Sequence, residues 1–519
     1  MDLSAELARF TSDPTLPKWV PEAVTGIVNE AQKSGRLSVE LHAANIKIQA
    51  LTLELAHHRR MRFGVKNEAL SAEQRDLFRE AYESDLAELE AKVDALVEVI
   101  SPKTKRPRAG RQPLPDHLPR VVYRHEPTSC SCGQCGNDLV KIGEDITEQL
   151  DVEPARFFVN QHIRAQYACR QCQTITAAAI PPAIIDGGMA APGLLTWVAV
   201  SKFADHLPLY RLEQIAARQN VILPRSNMSE WIGKMGVSLQ PLADRLSDLL
   251  RQRDVLHADE TPVAQLDPGK GKTKRAYLWA YRSSDLGNGP PIVVFDYQPG
   301  RSGSFARDYL QEWQGHLMVD DYSGYKALFR AGVTELACWA HARRKVFDLH
   351  AANQSPIAAQ ALKWIATLYA IEKAGKDLDV DARQQLRQQE AKPALESFHA
   401  WLMQIRLTVA PGSGTAKALD YTLRRWPALI RYADSGCLPI DNNPVENTIR
   451  PIAIGKKNWL YAGSERAGRR AAAIQSLLGT AKLNGLDPYA WLKSTLEKLP
   501  TCPNSDIDDL LPFRRASQG

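Results

Sequence analysis

The chain has no apolar stretch of about 18 residues, so nothing in it reads as a membrane-spanning helix. Its start, Met1-Asp2-Leu3-Ser4-Ala5-Glu6, has no basic cluster and no apolar core, unlike a secretory leader. A cytoplasmic location is expected. Cysteine is scarce, at eight residues in 519, which excludes a disulfide-stapled scaffold. Four of the eight form two Cys-x-x-Cys pairs, a pattern of metal binding in a reducing compartment. Charge of either sign is not in large excess. Lys and Arg outnumber Asp and Glu by 65 − 59 = 6, so the placement of charge matters more than its sum. With 44% hydrophobic and 24% charged residues, the bulk is that of a globular protein long enough for about three or four domains.

Residues 1–100 read as helical. Leu41, Ile48 and Leu55 are spaced by seven, with Ala44 and Leu51 between them, and Leu86, Val93 and Ile100 repeat the spacing around Leu89 and Leu96. A break at Gly64 separates the runs, and Ser71 with Gln74 makes a capping box for the second helix. A zipper between chains and a core-facing stripe within one chain both fit this pattern. Residues 101–119 form a proline-rich linker carrying Lys103, Lys105, Arg106, Arg108 and Arg111 without an acidic neighbour. Such a run can follow phosphates or enter a minor groove, or simply be solvated.

Residues 120–180 hold Cys132-x-x-Cys135 and Cys169-x-x-Cys172 around strand-like segments at Phe157–Val159 and His162–Arg164. Two such knuckles suit a closed tetrahedral zinc site with a structural role, with Cys130 as a substitute ligand and a redox dithiol as the alternative. Residues 181–250 read as helices, with Trp197, Phe203, Leu212 and Ile215 apolar and a further helix after Pro224 containing Trp231. They are either a helix-turn-helix-like DNA reader or a packing layer for the next domain.

Beyond residue 250, three acids stand out. Asp259 ends the strand-like run Val255-Leu256-His257-Ala258-Asp259, and Asp320 ends Leu317-Met318-Val319-Asp320. Glu446 sits at a helix start in Asn442-Asn443-Pro444-Val445-Glu446, with Asn443 suited to the N-cap and Pro444 to the first helical position. Strands are expected at 255–259, 276–281, 291–296, 316–319 and 334–339, with helices at 304–313 and 325–331. Three strands, helix, strand, helix, strand is the RNase H-like order, which makes the strands of Asp259 and Asp320 neighbours. Three converging carboxylates can hold two divalent cations, Mg²⁺ or Mn²⁺, for phosphodiester chemistry. Glu446 completing a capping box is the bland alternative. Residues 350–435 read as a helical insertion, 251–349 and 436–475 as the two parts of the core, and 476–519 as a C-terminal element. Residues 441–480 carry Arg450, Lys456, Lys457, Arg466, Arg469 and Arg470 against three acids, with Trp459 and Tyr461 interleaved. That suits backbone contact and base stacking on DNA, or a solvated basic face around a core tryptophan.

These segments together resemble the IS66 family of bacterial insertion-sequence transposases. The resemblance rests on the paired cysteines, His257-Ala258-Asp259-Glu260-Thr261, Asp320-Asp321-Tyr322-Ser323-Gly324-Tyr325, Cys338-Trp339-Ala340-His341-Ala342-Arg343-Arg344 and Asp441-Asn442-Asn443-Pro444-Val445-Glu446-Asn447. It covers nearly the whole chain. It implies a multidomain α+β protein with an RNase H-like core of five mixed strands, a helical insertion, an N-terminal leucine-zipper-like segment and a small zinc-binding domain. It implies a triad of Asp259, Asp320 and Glu446, and zinc on Cys132, Cys135, Cys169 and Cys172. The family shows Asp-Gly-Tyr where this chain has Asp320-Asp321-Tyr322, so Asp321 is a rival second acid. His341 follows the fifth strand and can approach the site. The expected activity is cleavage of element ends and strand transfer into target DNA. Expected partners are double-stranded DNA, further copies of the chain and small accessory proteins. The rivals are a structure-specific nuclease or resolvase on the same fold and a zinc-containing DNA-binding protein without catalysis.

Overall fold

The computed structural model describes residues 44–49, 114–127, 131, 134–153, 156–185, 187–267 and 272–513. Within the expected N-terminal helical segment this leaves only 44–49, which are helical. The linker cations Lys103, Lys105, Arg106, Arg108 and Arg111 lie outside the described residues, as do Cys130 and Cys132. Among the described residues no helix is long and apolar enough to cross a membrane.

The first described unit is a small sheet of β1 (Arg120–His125), β2 (Val140–Glu153), β3 (Arg156–Ala168) and β4 (Ile175–Ala177). β3 pairs antiparallel with β2 and β4 and parallel with β1. The far half of the β2–β3 pair is anchored. Leu150, Val152, Phe157 and Val159 are buried in a cluster with the helices that follow. The Tyr489 hydroxyl donates to the Val152 carbonyl at 2.7 Å.

Three helices come next: α1 (Pro192–Phe203), α2 (Leu209–Ala217) and α3 (Arg225–Leu250). In α3 the buried residues Met228, Trp231, Met235, Leu239, Leu242, Leu246 and Leu250 recur every three or four positions, a single apolar stripe. The stripe joins the core beneath the large sheet. The packing-layer alternative therefore describes this face of α3.

The large sheet contains β5 (Val255–Asp267), β6 (Lys272–Ser283), β7 (Val293–Gln298), β8 (His316–Val319) and β9 (Thr334–Ala337), with α4 (Gly303–Leu310) before β8 and α5 (Lys326–Arg330) before β9. Its spatial order is β7-β6-β5-β8-β9. β5, β6 and β7 form an antiparallel meander, while β8 and β9 run parallel to β5. β9 is shorter than the expected strand 334–339. Cys338 becomes the N-cap of α6 (Trp339–Asn353), because the buried indole of Trp339 turns inward and donates to the Leu429 carbonyl at 2.8 Å. His341 is therefore in the first turn of a helix, not at a strand end.

Residues 356–430 are helical, as α7 (Pro356–Ala374), α8 (Val380–Leu386), α9 (Lys392–Thr408), α10 (Gly414–Arg424) and α11 (Trp426–Ile430). They bury Trp339, Phe398 and Trp426 in a core of their own against β9 and α6. The chain then returns through α12 (Asn443–Trp459), α13 (Glu465–Leu483) and α14 (Pro488–Lys498). α12 covers the outer face of the meander, with Val445, Ile449 and Ile452 on Val263, Leu278 and Phe295. α13 seals the edge strand β7. The Phe295 amide donates to Ser476 Oγ at 2.7 Å and the Val293 amide to Thr480 Oγ1 at 3.1 Å. Side-chain hydroxyls thus replace the missing next strand.

Candidate active site

The sheet brings two of the acids together. β5 and β8 are parallel, and their last pair is His257 with Met318. Two residues further along are Asp259, inside β5, and Asp320, the first residue after β8. Side chains alternate along a strand, so both carboxylates lie on the face opposite to that of Glu260 and Asp321. Adjacent strands are about 4.8 Å apart, a spacing that lets two carboxylates share one small cation.

Glu446 arrives by a different route. Its helix begins one residue earlier than the sequence suggests, with Asn442 as N-cap and Glu446 in the first turn. Asn442 does not cap with its side chain. It is fully buried, and its Nδ2 donates to the Ala258 carbonyl at 3.0 Å while its Oδ1 lies 3.1 Å from His257 Nδ1. Its amide donates to Cys338 Sγ at 3.2 Å. One asparagine therefore ties α12 to the residue before Asp259 and to the head of α6. The capping-box alternative for Glu446 fails: Glu446 Oε1 is buried without a hydrogen-bond partner.

Neighbouring acids are neutralised, whereas these three are not. Glu260 is held by Arg301 at 2.5 Å and receives the Tyr325 hydroxyl at 2.9 Å. Asp321 is held by Arg425 at 2.5 Å, and the same guanidinium reaches Glu335 at 3.0 Å. Among the described residues, Asp259, Asp320 and Glu446 have no Lys or Arg partner within ion-pair distance. Burial, the Glu260 carboxylate and then Asp320 and Glu446 push Asp259 up to about 8. Asp320 Oδ1 accepts the Tyr322 amide at 2.8 Å, which holds the turn after β8. His341 Nδ1 is 3.6 Å from Glu446 Oε1, too long for a hydrogen bond, and it too is buried without a partner. Cys338, His341 and Glu446 present their ligand atoms within 4.8 Å of one another. A site with excess negative charge and two orphaned buried polar atoms fits a divalent cation.

Comparison with known proteins gives the family. The family described as Transposase IS66 family matches residues 187–470, which includes all three acids. The chain belongs to the IS66 family of transposases. Three further family descriptions match around that segment. They are the zinc-finger binding domain of transposase IS66 at 129–173, the IS66 C-terminal element at 476–513, and a leucine-zipper-type segment described as transposase C of IS166 homeodomain at 50–122. Similar curated proteins come from Sinorhizobium fredii (strain NBRC 101917 / NGR234). Uncharacterized protein y4qI is 36% identical over 93% of this chain and 92% of its own length. Uncharacterized protein y4jD is 37% identical over 77% and 81%. Uncharacterized protein y4hP is 31% identical over 92% and 89%.

The zinc-finger segment presents three described thiols. Cys169 closes β3 and Cys172 lies in the turn after it. Cys135 Sγ is 3.4 Å from Cys169 Sγ and 3.9 Å from Cys172 Sγ. Sulfurs at the corners of a tetrahedron about 2.3 Å from zinc stand roughly 3.8 Å apart, so these three fit the metal.

The basic residues after Glu446 divide. Arg450 and Lys457 are exposed, and Arg469 is exposed but paired with Glu465 at 2.8 Å. Lys456 donates to the Pro262 carbonyl at 2.8 Å and is spent on β5. Arg470 is 5% exposed, its stem against Gly236 of α3, so its placement on a DNA-facing surface is corrected. Trp459 and Tyr461 pack on the meander instead of standing free to stack on a base. The reason is the same in each case: α12 and α13 both lie against the sheet, which consumes side chains that sequence alone leaves free.

Sequence reading missed Asn442, Arg301 and Arg425. A signal existed for Asn442 in the doubled Asn442-Asn443 before Pro444. The two arginines carry no local signature, because their acids are 41 and 104 residues away.

Proposed function

We propose that this chain is the DNA transposase of an insertion sequence, acting through Asp259, Asp320 and Glu446 on an RNase H-like core. The observation that carries the reading is the selective neutralisation of the neighbouring acids. Glu260 and Asp321 have arginine partners, and of the three acids left over, Asp320 and Glu446 are near enough to raise Asp259. Asp259 and Asp320 would hold one cation between β5 and β8, and Glu446 a second, with His341 beside it. Mg²⁺ or Mn²⁺ bound there supplies charge neutralisation and activation of water or a 3′-hydroxyl at a phosphodiester. The chain's own part is positioning. Asn442 fixes the helix of Glu446 to β5, and the Asp320 turn fixes the second carboxylate. Asp321, drawn to Arg425, acts as a strut for the helical insertion.

Zinc on Cys135, Cys169, Cys172 and Cys132 would hold the small domain together. That domain, the basic linker at 101–119 and the N-terminal segment would recognise element ends, as double-stranded DNA, in the cytoplasm and at the nucleoid. Two ends must be joined, so a homo-oligomer is part of the proposal, as are accessory proteins from the same element. The division proposed is 1–100, 101–119, 120–180, 181–250, a core in 251–349 and 436–475 interrupted by 350–435, and 476–519.

The test uses purified protein, Mg²⁺ or Mn²⁺, and labelled DNA carrying the ends that flank its own gene. End-specific 3′ nicks and joined products are expected, with Asp259→Ala losing both but still binding DNA. Nicking without joining indicates the resolvase-like enzyme. Full activity in Asp259→Ala sinks the proposal.

A further inference from the structure

A groove of about 660 Å³ opens between α6, α7 and the start of α12, the helix that carries Glu446. Its floor at the active-site end is Ala340, which precedes His341, and Asn443, which lies three residues before Glu446. Tyr369 stands on the α7 wall, with its hydroxyl donated to Asp441 Oδ2 at 2.8 Å. The α6 wall carries Arg343, Arg344, Phe347 and Asp348. Two guanidinium groups face one carboxylate, and neither arginine has an ion-pair partner among the described residues. Phe347 is 46% exposed although it is a large apolar side chain, and it lies one turn from Arg343 and Arg344. The Arg343 guanidinium lies 5.6 Å from the Phe347 ring centroid.

Cations that follow a backbone, with an aromatic face set among them, are the elements of a single-strand track. A paired duplex offers its phosphates to the arginines but no free base face to Phe347. We propose that this groove takes the unpaired nucleotides next to the scissile phosphate. A base stacks on Phe347, and Arg343 and Arg344 hold the phosphates on either side. This rests on the proposed catalytic role of the three acids for the position of the scissile phosphate, but it concerns binding and is tested without cutting.

The experiment measures binding by the full-length Asp259→Asn protein to fluorescent DNA. One probe is a duplex with a short unpaired 3′ tail carrying 2-aminopurine, and the other is the same sequence fully paired. Phe347→Ala is expected to weaken the tailed probe by roughly 5- to 100-fold, the range for losing one stacked base, and to leave the paired probe within about twofold. Phe347→Trp restores binding and the change in 2-aminopurine emission. Removing both arginines lowers the slope of log affinity against log salt by about 1.4 on the tailed probe, the value for two single-strand phosphates. The side chains are exposed, so unchanged thermal midpoints show that the variants fold. Equal effects of Phe347→Ala on both probes, or no effect on either, overturn the proposal. A chain that cuts element ends yet ignores Phe347→Ala sinks the groove and leaves the catalytic reading standing. A chain that shows the Phe347-dependent preference but never cuts does the reverse.

Discussion

Replacing Asp259 with asparagine should stabilise the metal-free protein at neutral pH and remove its stabilisation by Mg²⁺. The carboxyl sits at about 8 in the folded chain against an ordinary 3.8, because it is buried and surrounded by Glu260, Asp320 and Glu446. Each unit of difference corresponds to about 1.4 kcal/mol. The folded state binds this proton more tightly than the unfolded state does. Its stabilising contribution is therefore complete below about pH 4 and is lost as pH rises toward 8. Near pH 7.5 the full difference is about 5 kcal/mol, and the partly exposed rim reduces it to about 2–5 kcal/mol. Asparagine carries no charge to bury and keeps Oδ1 as acceptor for the Glu260 amide, a bond of 2.8 Å in the native chain. At roughly 2 °C per kcal/mol, the variant should melt roughly 4–10 °C higher at pH 7.5 without Mg²⁺ and nearly level with the native chain at pH 4.5. Millimolar Mg²⁺ should then raise the native midpoint and barely move the variant. Differential scanning calorimetry of zinc-replete protein across that pH range measures both. A variant that melts lower at pH 7.5, or a difference that does not change with pH, would refute the electrostatic argument.

The same geometry sets three further outcomes. Asp320→Asn should abolish cutting with DNA binding retained. Asp321→Asn should keep the chemistry but cost about 1 kcal/mol by leaving Arg425 half-paired, read as a lower midpoint with kcat within a fewfold. Cys169→Ser should remove roughly one zinc per chain in elemental analysis and loosen the β2–β3 pair near Cys169. Amide exchange should rise at Tyr167–Ala168 while Val152 and Phe157, anchored in the main core, stay protected.

Much of the core was legible because its signals are local. Apolar runs of four to six residues end in acids or turns, so all five strands were located, although the first two extend to 255–267 and 272–283, about twice the expected lengths. Asp320, directly after β8, was visible for the same reason, whereas Asp259 lies inside β5, which runs eight residues past the expected strand end. Other features were hidden because they depend on distant partners. The end of β9 is set by Trp339 finding Leu429 across the helical insertion, and that moves His341 into a helix. The fate of the basic residues after Glu446 is set by which faces of α12 and α13 meet the sheet. Alternating Lys, Arg, Trp and Tyr look like a nucleic-acid surface in one dimension. Burial removes Arg470 and Tyr461 from that surface.

The distribution of arginines explains how one site can be chosen from a crowd of acids. Glu260 and Asp321 are each one residue from a proposed ligand, on the other face by strand alternation. Left unpaired, they would be rival carboxylates and add more like charge around Asp259, which Glu260 already raises. Arg301 removes Glu260 from the competition. Its guanidinium lies 3.9 Å from the Tyr322 ring centroid, so the residue two places after Asp320 holds the clamp in position. Arg425 removes Asp321 and also donates to the Asp320 carbonyl at 3.1 Å, fixing the backbone on which the second ligand hangs. Because Arg425 caps the start of α11 in the helical insertion, a shift of that insertion would move Asp320 directly. The carboxylates left without arginine partners are those that strand pairing and Asn442 bring together. Their mutual repulsion is relieved by a proton on Asp259 and would be relieved by a bound cation. On the proposed function, cation binding would complete the site, and the contact of Arg425 with Asp320 and Asp321 would couple it to the helical insertion.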